Sequence, residues 1–200
     1  MQGIIDNPRA CLIAGLTLAA LLFLLSLLAG ELDGLGLTAF LLRLLHVLAA
    51  AVWIGLVVFV NFVQLVALKQ ADAATAGVLN VAIVPGVAWW LRHASTVTVL
   101  SGLVLLLLAG YLLPALVYGS SVFIPPAKAV VLWAAVLGAL VMWMFVHMYI
   151  WPNLQVVLGR RAGDADAQGQ ARARVILFAR LNLIIAMPVV LGMIAAAHLH

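Results

Sequence analysis

The residues of this chain with chemistry to offer are few: four histidines (His46, His93, His147, His198), two arginines (Arg43, Arg180) and the amides Asn61, Gln64 and Asn182. Each lies inside or at the edge of a long apolar run. An ionisable or polar group costs free energy in lipid and therefore tends to face a bundle interior or a water-filled cavity. Stepping by 3.6 residues from His46 passes Ala50, Trp53, Val57, Asn61 and Gln64, so one helical face carries most of that run's polar groups and is predicted to look inward. The plain reading is that His46 bonds across helices and that Asn61 and Gln64 act as interhelical glue. The sharper reading is ligation, because a neutral imidazole is a ligand for haem iron or a metal ion.

These residues need elements to position them. Of 200 residues, 68% are hydrophobic and only 8% are charged, and the mean hydropathy is +1.28. No soluble fold hides that much apolar surface. A bilayer core takes about 20 apolar residues per helix, and five such runs are present: about Cys11–Ala29, Leu37–Leu68, Trp89–Tyr118, the stretch after Pro126 to Leu158, and Val175–His198. A membrane barrel alternates apolar and polar residues in short segments; these runs are continuous. The expected fold is all-α, a polytopic bundle of five transmembrane helices forming a single integral membrane domain over residues 1–200. A cleaved signal peptide is the rival reading of residues 1–29, but the run is longer than such an apolar core and no A-x-A-like site follows.

Orientation follows from lysine and arginine. With five alternating spans, one side holds Arg9, Lys69, Arg92, Arg160, Arg161, Arg172 and Arg174, and the other only Arg43 and Lys128. The N-terminus is therefore expected in the cytoplasm and the C-terminus outside, in a bacterial inner membrane. In that topology His46 and His198 both fall in the outer half, and His93 and His147 near the inner face. Two facing imidazoles suit the axial positions of a b-type haem, and His46 with His198 is the better candidate for a haem or metal site. His93, beside Arg92, Trp89 and Trp90, also reads as an interfacial residue. Arg43 and Arg180 could hold an anion or a haem propionate, or anchor at the interfaces.

Other chemistry finds little footing. A single Cys11 makes no intrachain disulfide, and no P-loop, dinucleotide fingerprint, H-E-x-x-H or nucleophile elbow occurs. The basic excess is explained by topology, so no nucleic-acid partner is expected. Met142, Met144 and Met148 around His147 supply copper-binding residue types without a diagnostic spacing.

The segment Leu42-Arg43-Leu44-Leu45-His46 to Trp53-Ile54-Gly55 resembles the R-x-x-H-x(6)-W-I-G signature of the transmembrane domain of bacterial membrane-bound, cytochrome-c-linked urate oxidases. Three further segments resemble that family in order: Trp90-Leu91-Arg92 through Ser101-Gly102, Ile150-Trp151-Pro152-Asn153, and Arg180-Leu181-Asn182 through Met187-Pro188-Val189 to His198. The resemblance covers about residues 38–198. The residues that match are Arg43, His46, Trp53, Gly55, Arg92, Gly102, Pro152, Asn153, Arg180, Asn182, Pro188 and His198; His93 and His147 match no family histidine. The family's cytochrome c domain has no counterpart here, since C-x-x-C-H is absent from these 200 residues.

The resemblance implies redox chemistry at the membrane, with electrons passed to a separate c-type cytochrome or to oxidase subunits. Trp53, Asn61, Gln64 and Asn182 are the candidate substrate-binding residues. A purine needs several convergent polar groups in an apolar pocket, and few are on offer. The pattern L-H-x(6)-W-I-G also looks like membrane protoporphyrinogen oxidases and copper-resistance membrane proteins. Two other classes stand beside an oxidoreductase: a cofactor-free structural subunit of a membrane oxidase, and a metal or small-solute carrier.

Overall fold

The computed structural model describes residues 5–28, 34–111 and 126–198. The chain forms two compact units, Met1–Leu41 and Leu42–His200. Five helices are long and apolar enough to cross a membrane, as the five runs required; the chain is a multi-pass membrane protein in contact with the bilayer.

In the first unit, α1 (Pro8–Leu28) opens with a proline at its first position, where a missing N–H costs nothing. The Phe23 ring stacks on Phe40, with centroids 5.0 Å apart. Phe40 belongs to α2 (Gly34–Phe59), which carries the chain into the second unit.

The second unit continues through a π-helical turn, Val60–Gln64, into α3 (Leu65–Gln70). A two-residue link leads to α4 (Ala73–Ala82) and α5 (Val84–Leu108). Then come α6 (Pro126–Met144), a second π turn (Phe145–Ile150), α7 (Trp151–Val157) and α8 (Ala165–His198). The core is shared by four spans: Trp53 and Val57 of α2, Leu91 and Ala94 of α5, Ala139 and Met142 of α6, and Ala186 and Val189 of α8.

Helix α8 lies along α6 more extensively than along any other element. Small residues permit it. A Cβ on Gly192 would sit 2.8 Å from the Ala135 Cβ, and one on Gly138 2.6 Å from Val189 Cγ2, so the two backbones approach where side chains are missing. Without a hydrophobic driving force between helices in lipid, such close packing supplies much of the association.

Two of the helix exits, those of α5 and α7, use the same stop. Gly110 (φ +69°) ends α5, with Tyr111 N–H on the Leu106 carbonyl and Gly110 N–H on Leu107; Gly159 (φ +68°) ends α7, with Arg160 N–H on Gln155 and Gly159 N–H on Val156. A left-handed glycine with these paired bonds satisfies the last carbonyls of a helix. Helix α5 closes at Leu108, before Gly110; residues 112–118 of the expected third run lie outside the described residues.

Two expected loops are largely helical. Asp72 caps α4, accepting from the Thr75 N–H at 2.8 Å, and Pro85 occupies the first turn of α5, so helix precedes the expected start at Trp89. Asp164 accepts from Ala167 N–H at 2.8 Å and starts α8 ten residues before Val175. At 1.5 Å per residue, α8 is about 51 Å long, well beyond a hydrocarbon core of about 30 Å. Its charged first turns extend past the apolar part, which is all that hydropathy registers.

Candidate functional site

The face of α2 that was expected inward is inward: Trp53, Val57 and Asn61 are buried, and His46, Ala50 and Gln64 are partly so. Three polar places in the second unit are built against this face or near it.

At the first, the His46 ring meets α5. Its Nδ1 lies 2.9 Å from the Thr98 carbonyl and 3.2 Å from Ser101 Oγ. A carbonyl only accepts, so Nδ1 carries the hydrogen, and the neutral ring keeps its lone pair on Nε2. Among the described residues Nε2 has no hydrogen-bond partner. Gly102 makes room for the ring: a Cβ there would stand 2.8 Å from His46 Cε1. Arg43, one turn earlier, is exposed. His198 is also exposed, with Nδ1 bonded to its own helix at the Ile194 carbonyl, 2.8 Å away. Each of these two imidazoles is thus tied to a different carbonyl, and no hydrogen bond joins them.

At the second, His147 in the π turn of the fourth span has both nitrogens engaged: Nδ1 donates to the Trp143 carbonyl at 3.0 Å, and Nε2 lies 3.1 Å from Thr96 Oγ1. Trp143 Nε1 donates to the same hydroxyl at 3.2 Å. The imidazole stacks on the Trp143 ring at 4.5 Å. Nearby, the Arg92 guanidinium sits 4.8 Å over the Trp151 ring, a cation–π contact. His93 is exposed, stacked on Trp89 at 4.1 Å and bonded through Nδ1 to the Trp89 carbonyl. His93 and His147 are thus each held by a tryptophan of their own helix.

The third is a cluster of amides. The Val60–Gln64 turn is wide, its exit N–H at Leu65 returning five residues to the Val60 carbonyl. Side chains take up backbone groups around it. Asn61 Nδ2 donates to the Val57 carbonyl at 2.8 Å and to the Ala179 carbonyl of α8 at 3.0 Å. Arg180 Nη1 donates to the Asn61 carbonyl at 3.3 Å. Because both hydrogens of Nδ2 are spent on carbonyls, the Asn61 amide cannot flip without setting oxygen against oxygen. Asn61 Oδ1, Gln64 Oε1 and both polar atoms of Asn182 are buried without a hydrogen-bond partner. All three side chains line one cavity with about 40 Å³ open to the centres of water molecules. Trp53 is buried in the core, and its Nε1 also lacks a partner.

Compared with known proteins, the chain matches no family model, no curated protein and no solved structure.

Among the described residues no three histidine, cysteine or acidic side chains gather as a metal site. Haem iron takes only one or two ligands from a protein. Sequence reasoning chose His46, Asn61 and Asn182 but passed over Thr96, Thr98 and Ser101, the hydroxyl-bearing side of α5 that receives the histidines. Their signal was present as hydroxyls recurring inside an otherwise apolar run.

Proposed function

We propose that this chain is a membrane redox protein of the urate-oxidase membrane-domain type, in which His46 would hold a b-type haem. The observation that carries the reading is the His46 ring itself, clamped by Nδ1 on the Thr98 carbonyl with Nε2 left open. Ligating histidines are oriented in this way, by a carbonyl or carboxylate on the nitrogen opposite the metal. The notch at Gly102 holds the ring flat, and Ser101 adds a second oxygen at Nδ1.

Two of the segments that carry the resemblance meet one another, the R-x-x-H residue His46 resting on the Ser101-Gly102 pair of α5. His46 would hold the iron, Thr98 and Ser101 would fix the imidazole, and the exposed Arg43 would face a propionate. His198, with its Nδ1 similarly tied, has the nitrogen to serve as a second ligand. Bound haem would supply one-electron exchange with a c-type cytochrome outside the membrane. This reading places the N-terminus in the cytoplasm and the C-terminus on the electron-accepting side of a bacterial inner membrane.

The test is reduced-minus-oxidised visible spectroscopy of the protein purified in mild detergent, with His46→Ala and His147→Ala. A b-type signal in the wild type is expected to vanish in His46→Ala and to survive in His147→Ala, whose Nε2 is occupied by Thr96. A featureless wild-type spectrum, with iron and copper absent by elemental analysis, would overturn the reading and leave His46 as an interhelical tie.

A further inference from the structure

We propose that the cavity beside the first π turn is a hydration site, holding a small cluster of water molecules on the amides of Asn61, Gln64 and Asn182. The argument is independent of haem at His46.

Four polar atoms of side chains that line it are unpaired, three of them on Asn61 and Asn182, each only 1% exposed, and the fourth on the partly buried Gln64. A buried amide without partners costs far more than a satisfied one, and native interiors rarely leave four such atoms in one place. The remaining walls are apolar, among them Val84, Ile150 and Leu154. Among the described residues these atoms have no hydrogen-bond partner, so the partner is a guest.

Charge and size select the guest. Arg180, an exposed residue outside the lining, donates to the Asn61 backbone carbonyl, and no acidic side chain lines the cavity to offer a cation a counter-charge. The Asn61 Oδ1, fixed because Nδ2 is committed to two carbonyls, presents an acceptor and disfavours an anion. What fits is neutral and both donates and accepts. A space of about 40 Å³ at water centres admits about two or three waters at roughly 10–15 Å³ each; it is too small for a purine. A donor from one water answers Asn61 Oδ1, and another can bridge Gln64 Oε1 to Asn182, whose amide accepts and donates.

The experiment uses the full chain, labelled with ¹⁵N-asparagine, in lipid nanodiscs. Water-to-amide cross-peaks with the sign of long-lived water are expected at Asn182 Nδ2–H. Their absence at Asn182 would overturn the proposal. Gln64→Leu provides a second readout on a less buried side chain: with waters present it strips a partner from the cluster and lowers the melting temperature by about 3 °C or more. An increase in melting temperature would instead mean that an orphaned amide had been removed from a dry cavity. A wild-type melting temperature that climbs with sodium or potassium concentration would identify a cation guest and also overturn the proposal.

Discussion

The absence of one side chain determines how His46 sits. Gly102→Ala puts a methyl 2.8 Å from Cε1, and since the ring is held on the Thr98 carbonyl it must either break that bond or push α5 away. Overpacking of this kind costs about 1–3 kcal/mol. The expected outcome is a lower melting temperature together with a displaced His46 Nδ1–H resonance in ¹⁵N-histidine spectra; an unmoved resonance would mean that the notch is not what holds the ring. Much at this scale was legible beforehand. His46, Trp53, Asn61 and Gln64 share one helical face, and periodicity alone aligned them. The partners of His46 were hidden for a physical reason: one is the Thr98 carbonyl, a backbone group that carries no mark in the sequence, and the other is the Ser101 hydroxyl, which also donates to the Val97 carbonyl one turn back in α5 and so gives no sign of the neighbour it also meets.

Between elements, the contact of α6 with α8 depends on what glycine leaves out. Gly192→Leu forces a branched side chain into the space of Ala135 and the Val131 carbonyl; the two helices should separate, seen as a loss of thermal stability and faster hydrogen exchange along α6. Gly169→Leu, where a Cβ meets nothing within 4 Å, is the matched control and should melt like the wild type. Helix α4 is governed by its cap. The Thr75 backbone N–H, then its hydroxyl, hold the Asp72 carboxyl below its ordinary value. A depressed folded value means that the cap's contribution is present above the unfolded pKa of about 3.9 and is lost as pH falls through the folded one. Protection of the Thr75 and Ala76 amides, taken relative to their intrinsic exchange rates, should therefore be high at pH 5 and fall once the pH drops below about 4, whereas Asp72→Asn should cap without that dependence. Neither α4 nor the start of α8 could be read from hydropathy, which registers burial in lipid and is silent about capped helix outside it. The π turns were equally hidden: Pro152 lacks the N–H that an α-turn would return to Met148, and the wide turn ending at Ile150 lies just before it, but a proline alone does not say how the backbone will accommodate it.

For the whole molecule, the uneven spread of arginine and lysine among the five spans predicts an orientation that can be tested directly. Alkaline phosphatase fused after His200 should be active in a bacterial host, and the same enzyme fused after Gly163 inactive. The reverse pattern would invert the molecule and place the open nitrogen of His46 on the wrong side for an external electron acceptor. The bundle was legible from composition because lipid leaves so few folds available; which helices would touch was not, since apolar surfaces of leucine, alanine and valine look alike until glycine positions are set in three dimensions. One consequence follows from the length of α8. Its internal proline, Pro188, lies beyond both Asp166 and Asn182, so about four turns of helix without a proline connect the charged stalk to the amide cavity. Such a rod behaves as a shaft. A displacement of the charged end would be carried along the helix to Arg180 and Asn182 with little bending, since no proline lies between them to kink it.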